Sequence, residues 1–596
     1  MKYADKQSCY AEDSSQRAIL LVKGAAFMDR ITTSIVEAFS KENKIAGLKE
    51  DEKFEHLTAY LTIRRHFSRA LDTAAVVVGK GGDTGIDAIA VIVNGALITD
   101  VDQVQEMLDQ NGYLEASFIF VQAERSASFD GAKIGTIGNG VIDFFSDHPK
   151  MDRNQKVKDA AAIMTAIYDR SASFRKRPAC RVYYVTTGSW NEDKNLVGRR
   201  DAVISDIRTT EMFDEKEIDF RCLGADDVHR LYQATKNAIS RTFVFENKVE
   251  VPAVPGVDLS FLGYISAKDF VPLISDDAGD DILGSIFYDN VRDWQDYNTV
   301  NSAMRETIAS DKQARFVLMN NGITIIAKGL KQAGSTFTID DFQIVNGCQT
   351  SNVIFDQRDK LGKAMMIPLR LIATKNDDVI ESIVFATNQQ TELKPEQLYA
   401  RTEFAKTLEK YFATFKEPER LYYERRDGQY DRLPIEKGRI VSPQTAIKTF
   451  VAMFLDEPHT TTKNYKSLRA RVGTDIFAKH HRLEPYYVAA FTAYKLELQY
   501  RSLKVGTDYK SARYHILLAA RLLLDPKPLP PINSKEMEKR CNAMMAELSN
   551  QTKTDQLFQE AKNVIDKVSK GDLTRDNIRT IVTTQNIIKM LQSPLP

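Results

Sequence analysis

The sequence predicts a multidomain protein of mixed class: an α/β domain first, a central α+β region next, and a helical region at the C-terminal end. Three observations carry that expectation. At 596 residues the chain exceeds what one hydrophobic core serves, because longer chains split into domains of about 50–200 residues. Its 43% hydrophobic and 27% charged residues are the balance of a chain that folds. Apolar periodicity then changes character twice along the chain, which places the boundaries near 245 and 430–440.

Residues 1–245 alternate helical and strand patterns. RAILLVKGAAFMDRITTSIVEAFSK and KFEHLTAYLTIRRHFSRAL repeat apolar residues at helical spacing, so two helices are expected. AAVVVG reads as a strand. GIDAIAVIVNGALIT reads as two strands joined at Asn94-Gly95, a favoured hairpin turn. The helix VDQVQEMLDQ follows, then the strand ASFIFVQA, and later the strands CRVYYVTTG and EIDFRCLG with helices around them. The two prolines and two glycines of ENKVEVPAVPGVDLSFLGYI mark a linker.

From 255 to 430 strands dominate, in RFVLMNNGITIIAKG, TFTIDDFQIVNG and MMIPLRLIATK. From 440 to 596 the pattern is helical, in SPQTAIKTFVAMFLD, PYYVAAFTAYKLELQYRSL, SARYHILLAARLLL and SKEMEKRCNAMMAELSN. DPKPLPPINS interrupts it as an extended loop.

Lys plus Arg and Asp plus Glu balance at 81 each, so no global field recruits nucleic acid and any such contact must be local. The five cysteines are scattered, with no CxxC pair to suggest zinc or a disulfide framework. The polar start MKYADKQSCYAEDSS does not resemble a signal peptide, and no apolar run is long enough to span a bilayer. A cytoplasmic protein without membrane contact is expected.

Two constellations carry chemistry. In the first region, Asp87 follows the glycine-rich stretch GKGGDTGID, and Gln122 and Glu124 close the strand FIFVQAE. Two apart on a strand, Gln122 and Glu124 share a face. Metal-assisted phosphodiester cleavage needs carboxylates that hold Mg²⁺ against the phosphate. Glu55, on the FEHLTAYL helix, adds a further carboxylate. An aspartate behind glycine is also a plain turn signature, so these residues alone are a weak signal.

The second constellation is rich in amides: Asn320 and Asn321, then Asn346 and Gln349, then Asn388 and Gln389, and finally Arg425. Amides donate and accept hydrogen bonds together, which suits a nucleotide ligand. Asn-Gly also makes ordinary turns, so only the ordered set favours one pocket.

Together, NNGITIIAKG, IVNGCQTSNVIF, FATNQQTEL and YYERRDGQY resemble the signature blocks of the AIPR family, the abortive-infection phage-resistance proteins of bacteria. That resemblance covers about 315–430 and implies a role in defence against bacteriophage. The first region resembles Mrr-type and other PD-(D/E)xK restriction endonucleases. Asp87 matches the motif aspartate, Gln122 the Glu/Gln position, Glu124 the lysine position and Glu55 the helix glutamate. The departure is Glu124, an anion in the lysine slot. The resemblance implies a Mg²⁺-dependent nuclease. Asp87 and Glu124 would be metal ligands, Gln122 would orient water or metal, and Glu55 would be an outer or additional ligand. The expected partners are nucleic acid, DNA in preference to RNA, and a second copy of the chain in a homodimer. Two other readings stay open: a non-catalytic nucleic-acid or partner-binding protein with a degenerate nuclease fold, and a nucleotide-sensing switch.

Overall fold

A computed structural model of the chain describes residues 28–592 apart from 68, 80, 237–238, 276–278, 280–281, 284–285, 288–298, 389–401, 426–428, 431–432, 434, 462–464 and 503. The first sheet has five strands, β1 (Ala88–Val93), β2 (Ala96–Ile98), β3 (Ala116–Glu124), β4 (Ala179–Thr186) and β5 (Ile218–Leu223), in the order β2-β1-β3-β4-β5. β1 pairs antiparallel with β2 and β3, whereas β3, β4 and β5 run parallel. Asn94 and Gly95 turn the β1–β2 hairpin with φ of 49° and 76°, the left-handed pair that a two-residue loop needs.

Helices cover both faces of this sheet. On one lie α1 (Arg30–Glu42) and α2 (Glu50–Ile63), with α7 (Ala225–Lys236). On the other lie α3 (Val101–Asn111), α4 (Gly131–Phe144), α5 (Gln155–Tyr168) and α6 (Lys194–Thr209). β3 is buried on both sides: Phe118 and Phe120 face α4 and α5, while Ile119 and Val121 face α1 and α2. Such two-sided burial is why its sequence is an unbroken apolar run.

The second sheet has six strands in the order β6-β10-β9-β11-β8-β7. They are β6 (Ser240–Val244), β7 (Asn247–Glu250), β8 (Leu259–Ser266), β9 (Ile323–Ala333), β10 (Thr336–Asn346) and β11 (Met366–Ala373). β6 and β7 are nearly continuous in sequence yet occupy opposite edges, so the sheet curls, and Phe245 at the crossing is buried against Phe243 and Phe337. Helices α8 (Ala267–Ile274), α9 (Thr299–Ala309), α10 (Phe316–Met319) and α11 (Cys348–Asp356) pack into one core with the sheet, and α12 (Asp377–Asn388) covers Ile326, Val345 and Ile372 in a second, smaller one.

The remaining helices share one core. They are α13 (Glu403–Ala413), α14 (Pro443–Phe454), α15 (Tyr465–Ala470), α16 (Glu484–Arg501), α17 (Arg513–Leu524), α18 (Lys535–Ser549), α19 (Gln551–Ser569), α20 (Arg575–Ile578) and α21 (Ile581–Gln592). No described helix is long and apolar enough to cross a membrane.

The helical region grips the first domain through charge. On α3, Glu106 is buried against Lys448 of α14 and accepts a hydrogen bond from Gln444 at 2.6 Å. Asp100 lies 3.4 Å from Arg575 and 3.8 Å from Arg513, and Asp102 lies 2.5 Å from Arg579. Asp159 of α5 and Asp72 pair with Lys510 and Arg501.

Several expectations need correction. AAVVVG is not a strand: residues Thr73–Ala75 form a 3-10 turn, and only Val77 makes a single bridge, to Ala88. The helix expected over KFEHLTAYLTIRRHFSRAL ends at Ile63, well before Leu71. FVLM forms the short helix α10, and its strand starts only at Ile323. The proline- and glycine-containing stretch at 246–265 is no mere linker. It supplies β7 and most of β8, and Pro252 and Pro255 fall in the loop between them, where a missing N–H costs the ladder nothing.

Candidate functional site

The site gathers where β1 begins and β3 ends. Ala88 pairs with Val121, which sets Asp87 opposite Gln122 on the face that looks towards α4. The Asp87 N–H donates to the Val121 carbonyl at 2.8 Å, and its carboxylate accepts the Ala123 N–H at 2.7 Å. Two bonds therefore pin the aspartate to β3. The loop before it is braced by Gly85, whose φ is 77° and whose absent Cβ would lie 2.6 Å from Thr136 of α4. Any side chain there would push the loop, and Asp87 with it, off the helix.

Gln122 and Glu124 share the α4 face, as strand alternation requires. Gln122 is 5% exposed, and its Oε1 is buried without a hydrogen-bond donor. A buried carbonyl oxygen left unpaired costs about 1–3 kcal/mol, so this atom calls for a ligand. Glu124, at the rim, accepts the Tyr184 hydroxyl at 2.6 Å through Oε2, while its Oε1 lies 3.9 Å from Lys133 Nζ. The Tyr184 oxygen in turn accepts the Asp130 N–H at 3.3 Å.

Glu55 reaches the rim from the opposite face, on α2. Its carboxylate lies over Gly79, where a Cβ would come within 2.8 Å of Oε2. The close approach of Gly79 is thus to a protein carboxylate. Glu55 and Glu124 line one cleft of about 400 Å³ with Asp51, Phe54, Ala123 and Arg125.

The electrostatics of the cleft are unbalanced. Burial, then the charges of Asp87, Glu52, Asp83 and Asp51, push the Glu55 carboxyl up to about 7. Burial likewise raises Asp87 to about 6, with Asp83 and Glu124 adding to it, against the pull of the Ala123 N–H and Lys133. Carboxylates so placed are short of positive charge. Among the described residues no three His, Cys, Asp or Glu side chains converge as a metal-holding group. The oxygens that gather on the α4 face are instead those of two carboxylates, Asp87 and Glu124, and the unpartnered Gln122 Oε1.

Lys133 and Tyr184 belong to this site although they carry no motif. Lys133 lies nine positions beyond Glu124 in sequence. The one signal for Tyr184 was alternation in VYYV: parallel pairing sets it beside Gln122, whereas Tyr183 points to the other face.

The amides of the central region mostly bond within the protein. Asn320 donates to Thr350 Oγ1 at 3.0 Å and accepts the Gly322 N–H at 2.8 Å. Asn346 donates to the Thr387 carbonyl, and Gln349 accepts from Asn301 at 2.7 Å. These bonds join α9, α11, α12 and the start of β9. Asn321 is exposed. Arg425, only 6% exposed, is clamped by Glu409 of α13 at 2.8 Å and Glu381 of α12 at 3.3 Å. Asn388 ends α12, while Gln389 and the Asn388 side chain lie outside the described residues.

A family model described as AIPR protein matches residues 287–584, half of the chain. The match takes in β9–β11 and most of the helical region, and Asp87, Gln122 and the cleft lined by Glu55 and Glu124 lie ahead of it. No curated protein and no solved structure matches the chain.

Proposed function

The chain belongs to the AIPR family, and from that premise we propose an abortive-infection protein whose N-terminal α/β domain hydrolyses phosphodiester bonds on infection, in DNA in preference to RNA. One arrangement carries the reading: Asp87, Gln122 and Glu124 share the face under α4, with too few cations and one buried oxygen left unpartnered. An all-oxygen donor set suits a hard divalent ion, and these three residues would hold Mg²⁺. When bound, the ion would offset phosphate charge and make water a better nucleophile.

The chain's own residues do the rest. Water oxygen forms the new bond to phosphorus, and the bond to the leaving sugar oxygen breaks. One water proton ends on that sugar oxygen and the other is released, leaving a phosphate monoester. Glu55 shares a cleft with Glu124 and has its carboxyl near 7, a value matched to accepting a proton at neutral pH. The Ala123 N–H and the Tyr184 hydroxyl fix the two carboxylates that would otherwise swing. The grip of the helical region uses α3, α5 and Asp72, none of which lines the cleft, so nucleic acid can enter while the domains stay docked.

The test is cleavage of supercoiled plasmid and of an RNA transcript, with and without Mg²⁺, by the parent and by Asp87→Ala. The parent is expected to nick or linearise DNA only with the metal, and Asp87→Ala to be at least about a thousandfold slower. Equal products from both proteins would sink the reading.

A further inference from the structure

β3 ends on Glu124, an anion, so this strand brings no ammonium to the site. Another element fills the gap. Past β3 the chain loops and re-enters as α4, capped by Asp130, which accepts the Ala132 N–H at 2.8 Å. Phe129, buried edge-on against Tyr184 with ring centres 5.4 Å apart, anchors that turn under the end of β3. The first turn of α4 therefore faces the carboxylates, and Lys133 sits in it.

Three observations set Lys133 apart from a surface lysine. Its Nζ lies 3.9 Å from Glu124 Oε1, at the rim of the site. A cation in the first turn of a helix opposes the helix dipole, so α4 gains nothing from a lysine there. The side chain is still 44% exposed, which lets the ammonium meet a ligand arriving from solvent. The rim's guanidinium, by contrast, is committed: Arg125 bonds Asp51 at 2.7 Å.

We infer that Lys133 supplies from α4 the ammonium that the strand lacks, paired with a non-bridging phosphate oxygen of the bound nucleic acid, while Tyr184 acts as a positioning residue that holds Glu124. Lys133 contributes charge and a hydrogen bond; no proton leaves it. The inference rests on the nuclease reading for its place in the reaction, and on geometry alone for its contact with phosphate.

Single-turnover cleavage and DNA binding separate the two. Lys133→Ala should cleave at least about a hundredfold more slowly, the usual cost of one transition-state donor, and Lys133→Arg should recover part of the loss. In EDTA, affinity for a fluorescent DNA duplex should fall about tenfold in Lys133→Ala, and the slope of log affinity against log salt should drop by about one. Tyr184→Phe should lower kcat about tenfold at unchanged KM; a changed KM at unchanged kcat rejects the positioning role. Matching thermal melts confirm that the variants are folded. If Lys133→Ala cleaves at the parental rate, the role of Lys133 is overturned and the nuclease reading stands. If the parent cleaves nothing, the nuclease reading falls and binding decides: lost affinity keeps Lys133 as a phosphate contact, and unchanged affinity overturns both.

Discussion

Two sets of buried carboxylates in the same α/β domain keep different company. On α3, Asp100, Asp102 and Glu106 meet Lys448, Arg513, Arg575 and Arg579. Burial opposes the charge on Asp100, but Arg513, the Asp102 amide and Arg575 win and hold it down to about 2. At the end of β3, burial prevails instead, and Glu55 and Asp87 rise to about 7 and about 6. Both clusters are desolvated carboxylates, so burial alone does not separate them. Cation supply does. One cluster is completed by the protein itself, and the other is left for something the protein must bind.

That contrast can be broken by experiment. The largest effect should come from Lys448→Ala, which strands Glu106 in a buried position and should cost about 3–5 kcal/mol in denaturant unfolding. The double replacement Glu106→Gln with Lys448→Met should recover most of it; no recovery would mean that packing, not charge, holds α3. Next comes Asp100→Asn, expected to lose about 2 kcal/mol at pH 7. The depressed carboxyl stabilises the fold above its ordinary value of 3.8, and that share disappears as pH falls towards 2.

The site should respond with the opposite sign. A carboxyl raised from 4.5 to about 7 binds its proton more tightly in the folded chain, so stability falls as pH rises between those values. Glu55→Gln should therefore be more stable than the parent by about 1 kcal/mol at pH 8, with the full shift discounted for a partly exposed group, and equal to it at pH 4. Loss of stability at pH 8 would place Glu55 in the same class as Asp100. The smallest effect is expected from Gly79→Ala. Its Cβ must move the Glu55 carboxylate, which sits 2.8 Å from that position. Unfolding should change by about 0.5 kcal/mol or less, while the pH dependence flattens as Glu55 moves out towards water.

Legibility in the sequence followed distance along the chain. The hairpin at Asn94-Gly95 and the strand ending in Gln122-Ala123-Glu124 were readable because turn chemistry and alternation are local. So was the common face of Gln122 and Glu124, and Asp87 joined it once β1 and β3 paired. The place of Lys133 was not readable, because its nearness to Glu124 depends on how the loop after β3 seats α4. β7 and β8 escaped notice because their exposed Val249, Leu262 and Tyr264 blur the apolar pattern. The engagement of Arg425 by Glu409 and Glu381 joins elements that only the tertiary fold brings together.

The pair between Glu106 and Lys448 also has a history in time. Its partners are 342 residues apart, and at about 5–20 residues per second the ribosome needs roughly 17–70 s to deliver the second after the first. During that interval the helix that covers Glu106 does not yet exist, so the carboxylate stands in water and its burial waits for α14. Docking of the helical region on the first domain is therefore a late event, fixed by the order of synthesis.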